Sequence, residues 1–458
     1  MSSPGDEPTP GVPHAASSAT RDATSPPESA PRRSLAFHRN FRQLWIGDAL
    51  GQFGAQLTGL ALPVYAVTHL DATEWQMGAL NAAETTAFLV IGLPAGAWVD
   101  RMRKRRTLIV ADLVRAAVLA AVVAAALTGH ASMTLLYVAG LVISAASVFF
   151  DVSHQSYVPT LVGPAHIVEG NSKLQATQSV ASVAAPAIGG ALLRVITAPA
   201  LIGVTVVTYL VSAFAVGRIR LEESLPSRDE RRPLRTEIAE GLRFVLHQPL
   251  LRRIVACTSL SNFSGSIAGA LTVIYAIRVL GLDTAALGTV FSASAIGGLV
   301  GAVAADRLSR RVGEGRLIPL AALAAIPSFV LTPLASPLAG RGVPPQVPLV
   351  VGGVLFSFAV VVYNVGQVSF RQRLCPPALL GRMNASVRFI VWGVMPLGGL
   401  LGGWLGTHLG VLPTLWIAAL GTALAALPVV VSPLLGMRDL ETPDHGAAGV
   451  QAVEDPRS

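Results

Sequence analysis

Two carboxylates sit where a carboxylate is costly. Glu84 lies deep inside one long apolar run of this 458-residue chain, and Asp48 lies a turn or two inside another. Ionisable groups in such runs are rare and mark function by default. Loss of hydration favours the protonated form of a carboxyl, which suits a group that must take up and release a proton near neutral pH. Glu84 is therefore the first proton-coupling candidate and Asp48 the second. A Glu84 kept permanently protonated, or tied to a polar neighbour, is the equally open alternative. Asn81 falls one helical turn from Glu84, while Asp48, Gln52 and Gln56 step by four and share one stripe. Beside that stripe, Gly47, Gly51, Ala55 and Gly59 suit close helix packing.

Other polar groups in apolar runs could hold a solute: Asn262, Asn364, Gln367, Trp392 and Arg388. Arg388 could simply extend its head toward the membrane surface; the lesser alternative is that it binds an anionic substrate or joins a latch. Asp112 and Arg115 are three apart, a spacing for a pair within one helix; with Asp100 and Asp151 they could form a charge network. The spacing supports no enzyme. No phosphate-binding glycine loop precedes a helix, no His-Glu-x-x-His occurs, and the nine histidines are scattered. The two cysteines, Cys257 and Cys375, have no metal-ligand spacing. No cofactor and no metal is expected.

The elements that must position these groups are membrane helices. Hydrophobic residues make up 52% of the chain and charged residues only 13%, about half the charge of a soluble domain. Twelve runs are long enough to cross a bilayer as helices: 43–68, 76–99, 107–128, 132–151, 173–196, 199–217, 252–278, 286–305, 316–337, 346–368, 384–406 and 411–436. The net charge of +8 comes from cations at the ends of these runs rather than from a face fit for nucleic acid. They gather on alternate loops, which places both termini in the cytoplasm. Residues 1–36 and 437–458 read as disordered cytoplasmic tails. The two bundles, 37–217 and 251–436, are joined by a linker, 218–250. In it Ile238, Leu242, Val245 and Leu246 recur at helical spacing, as in an amphipathic helix on the cytoplasmic face.

The halves repeat one another. Gly96-Ala97-Trp98-Val99-Asp100-Arg101, with Arg103 to Arg106 behind it, has a weaker copy in Gly301-Ala302-Val303-Ala304-Ala305-Asp306-Arg307. Asn171 before the fifth span and Asn384 before the eleventh are placed as helix N-caps. Gly189-Gly190 and Gly402-Gly403 fall at matching positions of the same two spans. Parallel six-span repeats with a site at mid-membrane are a transporter plan.

On these motifs the chain resembles the major facilitator superfamily. Gly96, Asp100, Arg101 and Arg105 match its loop signature between helices two and three. Ala185-Pro186-Ala187-Ile188-Gly189-Gly190 resembles the antiporter signature of its drug exporters, with Ala185 in place of the usual Gly. Phe41 to Trp45, Glu240 to Phe244 and Arg371 to Ser386 look like the branch of siderophore exporters and macrolide efflux proteins. The resemblance implies an all-α fold of twelve transmembrane helices in two pseudo-repeats, and a secondary transporter of the bacterial inner membrane. It implies export of small hydrophobic or amphipathic compounds (drug, antibiotic or siderophore type) by proton antiport with alternating access. It also implies a latch, Asp100 facing the amides that open helix eleven near Asn384, with Asp306 facing helix five near Asn171 as its mirror. Pro186 would bend helix five for the rocking of the halves. The expected partners are membrane lipid, a small molecule and protons, without nucleic acid, and the chain acts as a monomer. An importer or facilitator of a polar solute is the alternative on the same fold, and a transporter-like sensor a more distant one.

Overall fold

The computed structural model describes residues 35, 38–163, 166–221, 223, 234–376 and 379–438. The tails expected at 1–36 and 437–458 fall almost wholly outside the described residues. In chain order the helices are α1 (Arg39–His69), α2 (Glu74–Val90), α3 (Gly92–Asp100), α4 (Lys104–Leu127), α5 (Met133–Val162), α6 (Ile167–Leu192), α7 (Ala198–Gly217), α8 (Leu234–His247), α9 (Pro249–Ile274), α10 (Thr284–Val312), α11 (Glu314–Ala339), α12 (Gln346–Leu374), α13 (Leu380–Gly393), α14 (Met395–Leu409) and α15 (Val411–Val430). Among the described residues there is no strand. Among the described residues, nine helical stretches are long and apolar enough to cross a membrane, with α13 and α14 counted as one. Three more crossings, α1, α2 with α3, and α6, are diluted by polar side chains and complete a twelve-helix, all-α membrane fold.

Two crossings are broken, and for one reason. Proline lacks an amide proton and its ring collides with the carbonyl four residues back. Pro94 disrupts the run at Ile91, between α2 and α3; Pro396 disrupts it at Val394, between α13 and α14. The fourth crossing runs to Val162 rather than ending at 151, so Asp151, His154 and Tyr157 stay helical. Asn171 and Asn384 are not N-caps. α6 starts at Ile167 and α13 at Leu380, because the apolar face of α13 (Met383, Val387, Val391) already runs through the turn that holds Asn384. The small-residue stripe of α1 is also shifted: Gly47, Gly51 and Gly54 meet α7, whereas a Cβ on Gly59 would touch nothing within 4 Å.

The ends of the described helical core lie beside cation-bearing segments: Asn40 donates to the Arg220 carbonyl, and Arg253 and Arg316 donate to the carbonyls of Val431 and Leu435. At the opposite face a single buried cluster joins both halves, with Leu57, Leu60 and Leu80 against Ile267, Leu271 and Leu287. The backbones touch there as well. A Cβ on Gly78 of α2 would lie 2.6 Å from the Gly399 carbonyl and from Gly403 Cα of α14. Gly190 of α6 and Gly288 of α10 approach each other too closely for a Cβ on either. The repeated glycine pairs of the sequence thus seal the two halves. The remaining buried clusters of the described residues stay within one half: one from Leu35 to Ile219 and one of Ala87, Ala95 and Val148 in the first, the others from Val245 onward in the second.

Residues 234–247 of the linker form α8, and it does not lie free. α8 packs on α13 through Gly241, whose missing Cβ would sit 2.6 Å from the Arg382 carbonyl oxygen. Glu240 pairs with Arg382, and Val245 is buried with Met383 and Val387.

Candidate functional site

The first half encloses a polar network in the depth of its bundle. Asp112 and Arg115, one turn apart on α4, are buried and joined at 2.6 Å. A buried charge persists only when paired and hydrogen-bonded, and the surroundings meet that demand. Ser212 Oγ on α7 lies 2.6 Å from Asp112 Oδ2 and 2.8 Å from the Gly47 carbonyl oxygen, so its one proton serves either acceptor in turn. The Arg115 guanidinium lies over the rings of Phe150 and Tyr209, at 4.4 and 4.6 Å, where the ring faces attract a cation. The Asp112–Arg115 pair matches the spacing argument.

Asp48 lies beside this pair, only 3% exposed. Gln52 lies one turn on along α1, and His154 Nε2 of α5 is 3.5 Å away. His154 stacks on Phe150 and follows Asp151 by one turn. Sequence reasoning missed His154, because it fell beyond the expected end of the fourth span. Its three-residue spacing from Asp151 was the available signal. Asp151 reaches across to the other half, where Arg388 of α13 donates to its Oδ2 at 2.7 Å. Trp392, one turn further along α13, faces the Arg388 guanidinium at 4.9 Å and meets Phe88 of α2 edge-on at 4.6 Å.

Glu84 stands apart from that network. Its Oε1 is shut off from solvent and has no hydrogen-bond partner, as is also true of Asn81 Oδ1. Asn81 rests against Gly399 in the glycine seam, and the Glu84 stem rests on Gly140 of α5. Gln56 is half-buried on α1. Three other solute candidates are occupied with one another or with backbone. Asn262 donates to the Val391 carbonyl at 3.0 Å, where the broken eleventh crossing leaves an acceptor to satisfy; Gln367 donates to Asn364 at 3.4 Å.

The gating motif divides into parts. Arg105 binds the carbonyls of Val216 and Gly217 at the end of α7, where a cation meets the negative end of a helix. Glu223 accepts from the amides of Lys104 and Arg105 and so caps α4. Arg101 is exposed and Gly96 half-buried. α3, which ends at Asp100, packs on α13, while the side chains of Asp100 and Asn171 lie outside those described. Asn384 Oδ1 is buried without a partner. On the mirror side Asp306 is exposed and pairs with Arg310 one turn on, and Arg307 bonds the Val303 carbonyl of its own helix. In the antiporter-like motif Ala185 is buried, Pro186 lies inside α6, and Gly189 and Gly190 pack closely on α1 and α10. Ser292 of α10 donates across the halves to the Ala187 carbonyl at 2.7 Å.

Two six-crossing bundles, sealed together at one face and bridged by a charged pair toward the other, have the layout of a two-repeat membrane transporter. The profile of the Major Facilitator Superfamily matches residues 44–396, and the chain belongs to that family. Over 359 residues it is 24% identical to "Enterobactin exporter EntS" of Escherichia coli O1:K1 / APEC, covering 76% of this chain and 81% of that one. It is 26% identical over 402 residues to "Multidrug efflux pump Tap" of Mycolicibacterium fortuitum, covering 84% and 94%. Among solved structures, the nucleoside transporter NupG superposes with a TM-score of 0.66 at 13% identity, covering 85% of this chain and 98% of that one. A bacterial homologue of the iron transporter ferroportin in an inward-facing state gives 0.63 at 18% identity, with 86% and 98% covered. The structural matches share the fold.

Proposed function

We propose that this protein exports small hydrophobic or amphipathic compounds across the bacterial inner membrane in exchange for protons, with both termini cytoplasmic. The observation that carries export is the likeness to an enterobactin exporter and a multidrug efflux pump over three quarters or more of the chain. The Pro186 motif at the seam between α6 and α10 supports it. The cation-rich loops on the terminal face support the orientation. The glycine seal then lies on the outer side, and the cytoplasmic side is tied by the Asp151–Arg388 pair and by α3 on α13.

Proton exchange rests on Glu84. Its Oε1 is buried without a partner, in a helix whose backbone forms part of the outer seal. Protonation there neutralises a charge against the seam, and release of the proton demands water. Asp48, with His154 beside it, is the second site. The test is transport into inverted vesicles under an imposed pH gradient, with siderophores, macrolides and cationic dyes as cargo. Glu84→Gln is expected to abolish the response to the gradient while the protein stays folded. Normal, gradient-driven export by that variant would remove Glu84 from the coupling step. Absence of gradient-dependent flux for every compound would reject the antiport reading.

A further inference from the structure

Four arginines line one half-open cavity of about 620 Å³ at an end of the first bundle: Arg39 at the start of α1, Arg105 at the start of α4, and Arg218 and Arg220 just beyond α7. Orientation in the bilayer explains cations in such loops, but it does not require four of them around one space. The backbone holds them there. Ile219, between two of the four, is buried in the cluster that contains Leu35 and Phe41. Asn40 donates to the Arg220 carbonyl at 3.1 Å and accepts from the Arg220 amide at 3.4 Å, which pins this segment to α1. Arg105 is anchored by the carbonyls of Val216 and Gly217. Among the described residues none of the four makes an ion pair; Glu223 accepts from the amides of Lys104 and Arg105 instead. Arg39 and Arg105 also stand in the first turns of α1 and α4, which hold no acidic residue and where the helix dipole disfavours a cation. An anion in the cavity would answer the charges and the dipoles together.

We propose that this cavity binds the phosphate of an anionic membrane lipid among Arg39, Arg105, Arg218 and Arg220. A guanidinium fork holds phosphate oxygens by paired hydrogen bonds, and basic pockets between the ends of crossing helices suit such headgroups. The place favours a lipid over a soluble anion. α4 begins and α7 ends at the cavity, and both are crossings, so the cavity lies at the level of the headgroups. One turn back along α7, Phe214 is 64% exposed, and the Arg218 guanidinium lies 5.1 Å from its ring. An exposed phenyl ring on a crossing helix meets acyl chains, so a headgroup at Arg218 has its tails beside Phe214. The volume also leaves room for the waters of a phosphodiester, each taking about 30 Å³. Bound there, the lipid ties the starts of α1 and α4 to the end of α7 and clamps one end of the first bundle. The site requires only that these helices cross a bilayer; it is independent of cargo, direction and coupling ion.

The probes are phosphatidylglycerol and phosphatidylcholine with identical acyl chains, titrated into the purified full chain in mild detergent. Bound lipid is read by native mass spectrometry and stability by thermal melting. Wild-type protein is expected to bind phosphatidylglycerol more tightly and to melt higher with it. The double variant Arg218→Gln, Arg220→Gln should lower that preference by about tenfold or more, the scale for two cations facing an anionic lipid. Arg39→Gln, on another helix, should lower it in part. These three side chains are exposed, so the melting temperature in phosphatidylcholine should not change; if the double variant melts lower there, Arg39→Gln alone decides. Arg105 stays in place because it also holds the end of α7. The charge-matched control is Arg252→Gln with Arg311→Gln, two exposed arginines of the second bundle, which should keep the preference. Equal binding of the two lipids by wild-type protein, an unchanged preference in the cavity variants, or an equal loss in the control overturns the site. Equal stabilisation by soluble glycerophosphate at the same concentration overturns the lipid assignment in favour of a free phosphate.

Discussion

A single methyl group at Gly78 should loosen the seal at the face opposite the termini. In Gly78→Ala the new carbon would lie 2.6 Å from the Gly399 carbonyl oxygen and from Gly403 Cα, and 2.8 Å from the Gly403 nitrogen. Carbon atoms in ordinary contact lie about 3.5–4.0 Å apart, so α2 and α14 would have to part by about an ångström. The obstacles are backbone atoms of two glycines, which have no side chain to swing aside. Overpacking of this kind costs about 1–3 kcal/mol. If the strain acts only when the seal is closed, the closed arrangement loses about 5- to 150-fold relative to the open one. The assay is labelling of Asn81→Cys, one turn deeper along α2, by a membrane-impermeant maleimide added at that face. The native Cys257 and Cys375 are buried at 1% and 4% exposure and contribute a slow background. Labelling should accelerate within that range in Gly78→Ala. Gly59→Ala is the control, since a Cβ there meets nothing within 4 Å. Unchanged labelling with an unchanged melting temperature would show that the two helices do not form the seal.

Other substitutions test the supports of the site. Asp112→Asn leaves the Arg115 guanidinium buried without its acid and should destabilise the protein by about 3–5 kcal/mol, read as a fall in melting temperature; a loss under about 1 kcal/mol would mean that water already solvates the pair. Glu223→Ala removes the acceptor for the first amides of α4 and should cost about 0.5–2 kcal/mol, seen in the same melt; no change would mean that water caps that helix. Gly241→Leu drives a side chain into the Arg382 carbonyl and should lift α8 from α13. It should lower the melting temperature and expose Cys375 to alkylation; burial pushes that thiol above its ordinary range, Arg371 pulling the other way, so the native protein should react slowly.

The membrane class, the twelve crossings, the two-fold repeat and the Asp112–Arg115 pair were all legible in the amino-acid order. Each rests on composition, on the length needed to cross hydrocarbon, or on spacing within one helix, and all of these are local. The glycine pairs could be read as close-packing sites because their signal is also local. Which helices they bring together could not: Gly78 meets Gly403 and Gly190 meets Gly288 only once the two bundles have docked. The same limit explains His154, which gains meaning from Asp48 on a distant helix, and Asn262, a solute candidate by sequence that the fold places on the Val391 carbonyl. It explains Asp306 too, where the repeated motif is real but its exposed carboxylate settles on Arg310. Burial and pairing across the halves depend on where whole helices lie. That Arg388 meets Asp151 follows from the docking of α13 against the first bundle and from no local pattern.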